Sequence, residues 1–156
     1  WGIVVLLIAL MGLVASCVPT IRTVPERDVI YLDAKSGWLS TGLHFKKGQK
    51  AFFHCRGTWA VAPAAERERW PDTGPEGHGS HPGEQVHRQG DSQKELPGTP
   101  FGMLLGKVNG IVFPVGAERT VRMPAEGELF LVINDYPFYR HDNRGGLFIA
   151  VTPVDD

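Results

Sequence analysis

Two apolar segments joined by one polar loop decide the fold of this chain, and together they read Glu128-Leu-Phe-Leu-Val-Ile-Asn-Asp-Tyr-Pro-Phe-Tyr-Arg-His-Asp-Asn-Arg-Gly-Gly-Leu-Phe-Ile-Ala-Val-Thr152. Residues 128–134 and 147–152 are short runs of aliphatic and aromatic side chains, which is typical of buried strands. Neither run has the length or the 3.6-residue period of a helix. We therefore predict two central β-strands, connected by the polar loop between them.

The rest of the chain extends this pattern of short strands separated by turn residues. The 19 glycines and 12 prolines favour a turn-rich β protein, and Asn109-Gly110 is a typical hairpin turn. We predict an all-β fold, a β-sandwich of the galactose-binding-domain-like or jelly-roll type, preceded by one N-terminal hydrophobic helix. The six further strands are expected at 29–32, 38–45, 50–61, 103–108, 111–113 and 120–123.

The N-terminal segment has the features of a membrane-targeting sequence. No charged residue occurs from Trp1 to Ser16, and the run ends in Val14-Ala-Ser-Cys17, which matches a bacterial lipoprotein cleavage box. Residues 1–18 are therefore expected to be either a retained anchor helix or a lipoprotein signal with lipid on Cys17. A linker at 19–28 and a sandwich domain at 29–156 follow. Both interpretations place the domain outside the cytoplasm, on the periplasmic or cell-surface side of a membrane.

Composition and motifs exclude several function classes. The net charge of −1 and the pI of about 6.7 do not indicate a nucleic-acid partner. The sequence has no nucleophile elbow, no glycine-rich phosphate loop and no catalytic triad pattern, so we predict that it is not an enzyme. Cys55 lies on an apolar strand and is expected in the core.

The polar loop between the central strands carries a candidate calcium site. Asp135 and Asp142 would supply charge, Asn143 a neutral amide oxygen and Tyr139 a main-chain carbonyl, which are the oxygen ligands that Ca²⁺ prefers. Two alternatives stay open. The Asp and Asn side chains could simply make Asx turns, or a nearby arginine could lie between the carboxylates and neutralise them.

The long stretch at 63–100 is rich in Gly, Pro, Glu, His and Arg and has few aliphatic residues. A loop of this length in a compact domain is usually functional or disordered. His78 and His81 have a spacing found in zinc sites, but a solvated glycine-rich loop is the favoured explanation unless further ligands converge.

From about Ser36 to Thr152 the chain resembles the calcium-dependent galactophilic lectins, the PA-IL-like group of bacterial β-sandwiches. The most specific match is Asn134-Asp135-x-Pro137 through Asp142-Asn143-x-Gly145, which aligns with that family's calcium loop without a gap. The other matching segments are Ser36-Gly-Trp38, Thr41-Gly42, Lys47-Gly48, Gly57-Thr-Trp59, Gly74-Pro-Glu-Gly77, His81-Pro82, Leu96-Pro-Gly98 and Phe101-Gly102-Met-Leu-Leu-Gly-Lys107.

The resemblance implies roles for particular residues. Calcium would be held by Asp135, Asp142, Asn143 and the carbonyl of Tyr139, with a further carbonyl from the strand end near Val61. A galactose-type sugar would complete the ion's ligand shell with two hydroxyls. The positions implied in sugar binding are His81, Glu84, Asp135, Tyr136 and Asp142.

The chain departs from the family pattern around the sugar site. Asp142 and Glu84 replace amides, residues 85–95 look like an insertion, and the bulky run Phe138-Tyr-Arg-His141 replaces small residues. Two functions follow. The first is a membrane-tethered, extracytoplasmic, calcium-binding lectin-like module without catalysis. The alternative is an accessory subunit of a respiratory, photosynthetic or envelope complex, in which the sandwich docks a partner and sugar binding is lost.

Overall fold

The structure, a computed structural model, describes residues 29–66, 68–79 and 88–154. All eight strands predicted from the sequence are present, and their ends differ from the prediction by a few residues. No α-helix occurs among the described residues, where the helical segments are short 3-10 turns at Ala64–Glu66, Arg88–Gln93 and Arg140–Asp142. The strands are β1 (Val29–Asp33), β2 (Leu39–Phe45), β3 (Lys50–Ala60), β4 (Leu104–Val108), β5 (Ile111–Pro114), β6 (Glu118–Arg122), β7 (Gly127–Ile133) and β8 (Arg144–Val154).

The strands form two four-stranded antiparallel sheets. Sheet 1 has the order β1-β8-β3-β6 and sheet 2 has the order β2-β7-β4-β5. The two apolar segments predicted to be central are β7 and β8, and each lies inside its sheet rather than at an edge. This confirms the all-β sandwich, in which each sheet buries one face against the other.

The core is built from the inward side chains of both sheets. On β3, Phe53 and Cys55 point inward and are buried, as the alternation of the sequence predicts. Burial raises the pKa of the Cys55 thiol to about 12, so this cysteine is a core residue and not a nucleophile. Other side chains with almost no exposed surface are Leu32, Trp59, Leu104, Leu129, Leu131, Ile133, Leu147 and Ile149.

The outer faces of the two sheets differ. The outer face of sheet 2 carries a second apolar cluster of Met103, Leu105 and Val132, and loop residues Trp38 and Leu96 pack over it. The outer face of sheet 1 has no such cover from the described part of the chain, and it exposes Tyr31 and Phe148, whose rings contact each other.

Part of the sequence prediction falls outside the described residues. The apolar run at 1–16, Cys17, the linker at 19–28, His81 and Glu84 all lie there. Within the part of the chain that is described, no helix has the length and apolar character needed to span a membrane.

Candidate functional site

Strand register in sheet 1 places two of the predicted calcium ligands, Val61 and Asn143, opposite each other. In sheet 1, Trp59 pairs with Gly145 and Ala60 with Arg144, so the next positions, Val61 and Asn143, face each other where β3 ends and β8 begins. Gly145 permits this close approach, because a Cβ there would lie 2.5 Å from the Thr58 carbonyl oxygen and the residue has φ +80°.

Sheet 2 places Asp135 at the same end of the sandwich as Val61 and Asn143. Leu104 pairs with Ile133, and the pairing continues through the hydrogen bonds from Asn134 N–H to the Met103 carbonyl and from Gly102 N–H to the Asn134 carbonyl, both 2.8 Å. Asp135 is therefore held beside the start of β4, close to Phe101. The polar loop after β7 crosses from sheet 2 to sheet 1 at this end.

A pocket of about 550 Å³ opens between these elements. It brings together the predicted calcium and sugar residues that the structure describes, apart from Asn143, which lies directly behind it and is fully buried. The residues lining the pocket are Val61, Ala62, Pro63, Glu66, Trp70, Gln93, Phe101, Asp135, Tyr136, Tyr139 and Asp142.

The Asn143 side chain is fixed through its amide nitrogen. Nδ2 donates to the Ala34 carbonyl at 3.0 Å and to Asp135 Oδ2 at 2.8 Å. The other carboxylate oxygen, Asp135 Oδ1, accepts the Tyr136 N–H at 2.6 Å. With both amide hydrogens used, Asn143 Oδ1 is left as an acceptor, and it is buried without a hydrogen-bond partner among the described residues.

Asp142 also has a buried oxygen without a hydrogen-bond partner. Its Oδ1 is buried and has no hydrogen-bond partner in the described part of the chain, although the residue lines the pocket. Buried acceptors of this kind are rare in proteins, and an ion or a water molecule is one kind of partner that would satisfy them. No group of three His, Cys, Asp or Glu side chains that could hold a metal occurs among the described residues. The site has two carboxylates and one amide oxygen, and oxygen ligands of this kind suit a hard cation such as Ca²⁺. The Tyr139 carbonyl accepts the Asp142 N–H at 3.4 Å.

The Asp135 carboxyl group is almost completely buried, and this burial raises its pKa from the ordinary value of 3.8 to about 6. Hydrogen bonds from Asn143 and from the Tyr136 main chain act in the opposite direction, as does the positive charge of Arg140. Desolvation dominates because a charged carboxylate loses its water shell here. A divalent cation would reverse that balance by favouring the ionised form.

Among the described residues, neither nearby arginine forms an ion pair with the two carboxylates, although the positive charge of Arg140 still acts to lower the pKa of Asp135. Arg140 is buried and its Nη2 pairs with Glu95 Oε1, while Glu95 Oε2 accepts a hydrogen bond from Trp38 Nε1 at 3.2 Å. The Nε and Nη2 atoms of Arg144 are buried without a hydrogen-bond partner in the described residues. No ion pair between an arginine and either Asp135 or Asp142 occurs in that part of the chain.

Aromatic side chains form one wall of the pocket. The ring centroids of Trp70 and Phe101 are 5.5 Å apart, those of Phe101 and Tyr136 are 5.7 Å apart, and those of Tyr136 and Tyr139 are 6.1 Å apart. Of the bulky residues after Pro137, Tyr139 lines the pocket, whereas Phe138 is 90% exposed and does not line it, and Arg140 pairs with Glu95.

The glycine-rich motif at Gly74–Gly77 has a structural role in the part that is described. A Cβ on Gly77 would lie 2.6 Å from both Met103 N and the Phe101 carbonyl oxygen, so only glycine fits against the start of β4. Glu76 Oε1 accepts the Ala117 N–H at 2.5 Å. His78 is buried beside Trp70 and Phe101, within the aromatic layer behind the pocket.

Several pocket residues were not predicted from the sequence. Glu66 and Trp70 follow β3, and Gln93 ends a 3-10 turn in the stretch that looked like an insertion. These residues come from a segment without hydrophobic periodicity, so no pattern pointed to them. The isolated Trp70 in a polar stretch was the one usable signal, because a lone tryptophan there has to pack against something.

Comparisons with known proteins support the fold. No protein-family profile matches the chain, and no curated protein matches it in sequence. Eight solved chains resemble it in structure, among them one described as "EclA N-terminal domain; PllA-like lectin". That match has a TM-score of 0.61 at 22% identity and covers 82% of this chain and 99% of the other. The chain has a lectin-like β-sandwich fold. The identity is too low for the match to show more than the fold.

Proposed function

We propose that this domain is a non-catalytic carbohydrate-binding module whose ligand is held through a calcium ion at the pocket. The observation that supports this most directly is the pair of buried oxygens without partners, Asp142 Oδ1 and Asn143 Oδ1. They lie at the end of the sandwich where the register also brings Asp135 and Val61. The lectin-like fold favours the same interpretation.

In this proposal the protein residues prepare the site before any ligand arrives. Asp135 and Asp142 supply the negative charge, and the two hydrogen bonds from Asn143 Nδ2 hold the side chain and leave its oxygen as the unused acceptor. The carbonyl oxygens of Tyr139 and Val61 would complete the protein ligands. Bound calcium would offer its open coordination positions to two neighbouring sugar hydroxyls.

The remaining lining residues would orient the sugar. Tyr136 and Tyr139 present aromatic surface, which suits the apolar side of a pyranose ring. Glu66 and Gln93 at the rim offer hydrogen-bond partners for further hydroxyls. A galactose-type sugar, with contributions from His81 and Glu84, remains the prediction from the sequence.

The membrane location is part of the same proposal. The uncharged run at 1–16 and the Val14-Ala-Ser-Cys17 box support a tether, either as a retained anchor helix at 1–18 or as lipid on Cys17. Residues 19–28 would link the tether to the domain. The pocket would then face the periplasm or the cell exterior, where glycans are accessible.

The accessory-subunit alternative is favoured by one observation. Phe138 is 90% exposed beside the pocket mouth, and a large aromatic side chain so exposed is suited to contact a protein partner. In that case the loop after β7 would dock a partner subunit instead of a sugar.

A glycan-binding assay separates the two functions. The full chain is screened on an array of galactose-, fucose-, mannose- and glucose-terminated glycans, once with calcium and once with a chelator. We expect binding to one sugar class that is lost with the chelator and in Asp142→Ala, which removes the side-chain oxygens at that position. The matched control Asp33→Ala removes an exposed carboxylate at the end of β1 that accepts the nearby Lys35 N–H, and it should bind normally. Calcium-independent binding, or no binding to any glycan, would contradict the proposal.

A further inference from the structure

The outer face of sheet 1 concentrates the exposed hydrophobic surface of the molecule. Eight large hydrophobic side chains are exposed among the described residues, and five of them lie on this face. The alternation on each strand places them there, because Ile30, Ala51, Phe53, Leu147 and Ile149 point into the core. The five are Val29, Tyr31, Phe52, Phe148 and Val154.

Register places these side chains on one face, as a patch in which Tyr31 and Phe148 are direct neighbours and the others alternate with Arg56, Ala150 and Thr152. Tyr31 pairs with Phe148, and Phe148 pairs with Arg56 on the next strand. Val29 pairs with Ala150, and Phe52 pairs with Thr152. Tyr31 is 50% exposed and Phe148 is 56% exposed, although their rings contact each other at 5.1 Å. The corresponding face of sheet 2 is covered by Trp38 and Leu96.

Basic side chains flank the patch at the end far from the pocket. Lys50 and Arg122 pair across β3 and β6, and with Lys46 and Lys47 they line a groove next to Val154. Arg56 adds a further positive charge beside Phe148. The acidic groups on this face are Glu118, which pairs with His54 at 2.8 Å, and Asp33 at the edge. Asp155 and Asp156 follow Val154 in the sequence, outside the described residues.

The point where residues 1–28 join the domain is a further observation that favours a membrane partner. The first residue of β1, Val29, belongs to the patch, so residues 1–28 join the domain at this face. β3 has eleven residues and spans about 36 Å, with the basic groove at its first residue and the pocket after its last. A surface in contact with the patch would leave the pocket open at the other end.

We propose that the outer face of sheet 1 lies on an anionic lipid bilayer, with Tyr31, Phe148 and Phe52 at the headgroup level and the lysines and arginines against the headgroups. Tyrosine and phenylalanine next to a basic groove are suited to this boundary, because the rings enter the interface while the charges remain hydrated. This inference rests on the membrane tether of the proposed function, which would keep the face close to the bilayer. It does not depend on calcium or sugar binding.

Lipid quenching of a fluorescent label tests the contact in the full chain. One variant carries a label at Thr152→Cys, inside the patch, and the matched control carries it at Ser40→Cys, on the outer face of sheet 2. Both keep Cys17, because it is one of the two proposed tethers, and the signal of the parent chain treated with the same label is subtracted. The buried Cys55 thiol, with its pKa of about 12, will not compete for the label. The chain is mixed with vesicles that contain phosphatidylglycerol and a nitroxide-labelled lipid.

We expect strong quenching at position 152 and little at position 40. Adding Tyr31→Ser and Phe148→Ser should abolish the difference, and circular dichroism checks that these exposed changes leave the sandwich folded. Each charge removed by Lys46→Gln or Lys47→Gln should weaken the contact about fivefold. Neutral vesicles should likewise give weak quenching.

Three results would overturn the inference, and they have different meanings. If the chain floats with vesicles but both labels stay accessible to aqueous iodide, the tether holds and the face contact is wrong. If position 152 is shielded from both quenchers and the chain elutes as a dimer, a second copy occupies the face. If the chain does not float with vesicles, the tether and the face contact both fail, while the pocket remains to be judged by the glycan assay.

Discussion

Two loops at the same end of the sandwich differ in whether their buried polar atoms have hydrogen-bond partners. In the segment from Asp91 to Pro100, polar atoms are matched within the protein: Lys94 Nζ bonds to Asp91 at 2.7 Å and to the Thr99 carbonyl at 2.6 Å. In the loop from Asp135 to Asn143, two buried oxygens have no partner among the described residues. The first loop is complete as it stands, whereas the second has acceptors left for a ligand.

The contrast is clearest between two buried asparagines. Asn134 Oδ1 accepts the Leu96 N–H at 3.0 Å, and its Nδ2 lies within hydrogen-bond distance of the carbonyls of Leu96, Thr99 and Pro100. Asn143 uses only its nitrogen and leaves Oδ1 without a partner. An asparagine side chain therefore holds a loop in place through all of its polar atoms at position 134, and leaves one acceptor unused at position 143.

The largest expected effect is on stability at the first asparagine. Asn134→Ala leaves several buried main-chain groups without a partner and should lower the free energy of unfolding by about 3–4 kcal/mol. The loss should be the same with calcium and with a chelator, as measured by chemical denaturation. Asn143→Ala is the matched variant, and its loss should be greater when calcium is present. Equal calcium dependence in the two variants would remove the distinction between the loops.

The pH dependence of stability tests the burial of Asp135. Between about pH 4 and pH 6 the folded chain keeps the Asp135 proton that the unfolded chain releases, so stability should fall as pH rises through this window. With a pKa of about 6 against an ordinary 3.8, the fall amounts to about 3 kcal/mol at pH 7.

The matched measurement is the same titration of Asp135→Asn, which cannot ionise at that position. The wild-type curve minus the variant curve isolates the Asp135 contribution. Saturating calcium should remove the fall in the wild-type chain, because the ion favours the charged carboxylate. A wild-type curve that parallels the variant would show that Asp135 ionises normally.

A smaller effect is expected at the ion pair that joins the two loops. Glu95→Gln keeps an acceptor for Trp38 but leaves the buried Arg140 charge without its counter-ion, which should cost about 2 kcal/mol. The exposed Glu126→Gln should change stability by less than about 0.5 kcal/mol. Thermal unfolding measures both. A loss at Glu95 no larger than at Glu126 would mean that the pair does not hold the loops together.

The smallest expected effect separates the pocket from the docking alternative. Phe138→Ser alters a side chain that is 90% exposed, so stability should change by less than about 0.5 kcal/mol. Calcium affinity should also be unchanged, because Phe138 does not line the pocket. A marked loss of binding to membrane-complex proteins in a pull-down, with calcium binding intact, would favour the accessory-subunit function.

The fold could be predicted from the sequence because each strand has a local pattern of apolar residues. The alternation on β3 and the apolar runs of β7 and β8 required no long-range information. The carboxylates and amide of the loop after β7 could be predicted too, since their spacing within one short loop is fixed. Glu66, Gln93 and the pairing of Glu95 with Arg140 could not, because they depend on how a stretch without periodicity folds back over the end of the sandwich.

Titration of the metal-free full chain with calcium chloride in a calorimeter tests the central claim most directly. We predict binding at one site in the wild-type chain and in Asp33→Ala, and its loss in Asp142→Ala. At a free calcium concentration one hundred times the dissociation constant, the folded state should gain about 2.7 kcal/mol. No heat of binding and no shift in melting temperature would contradict the claim and leave the two buried oxygens to ordered water.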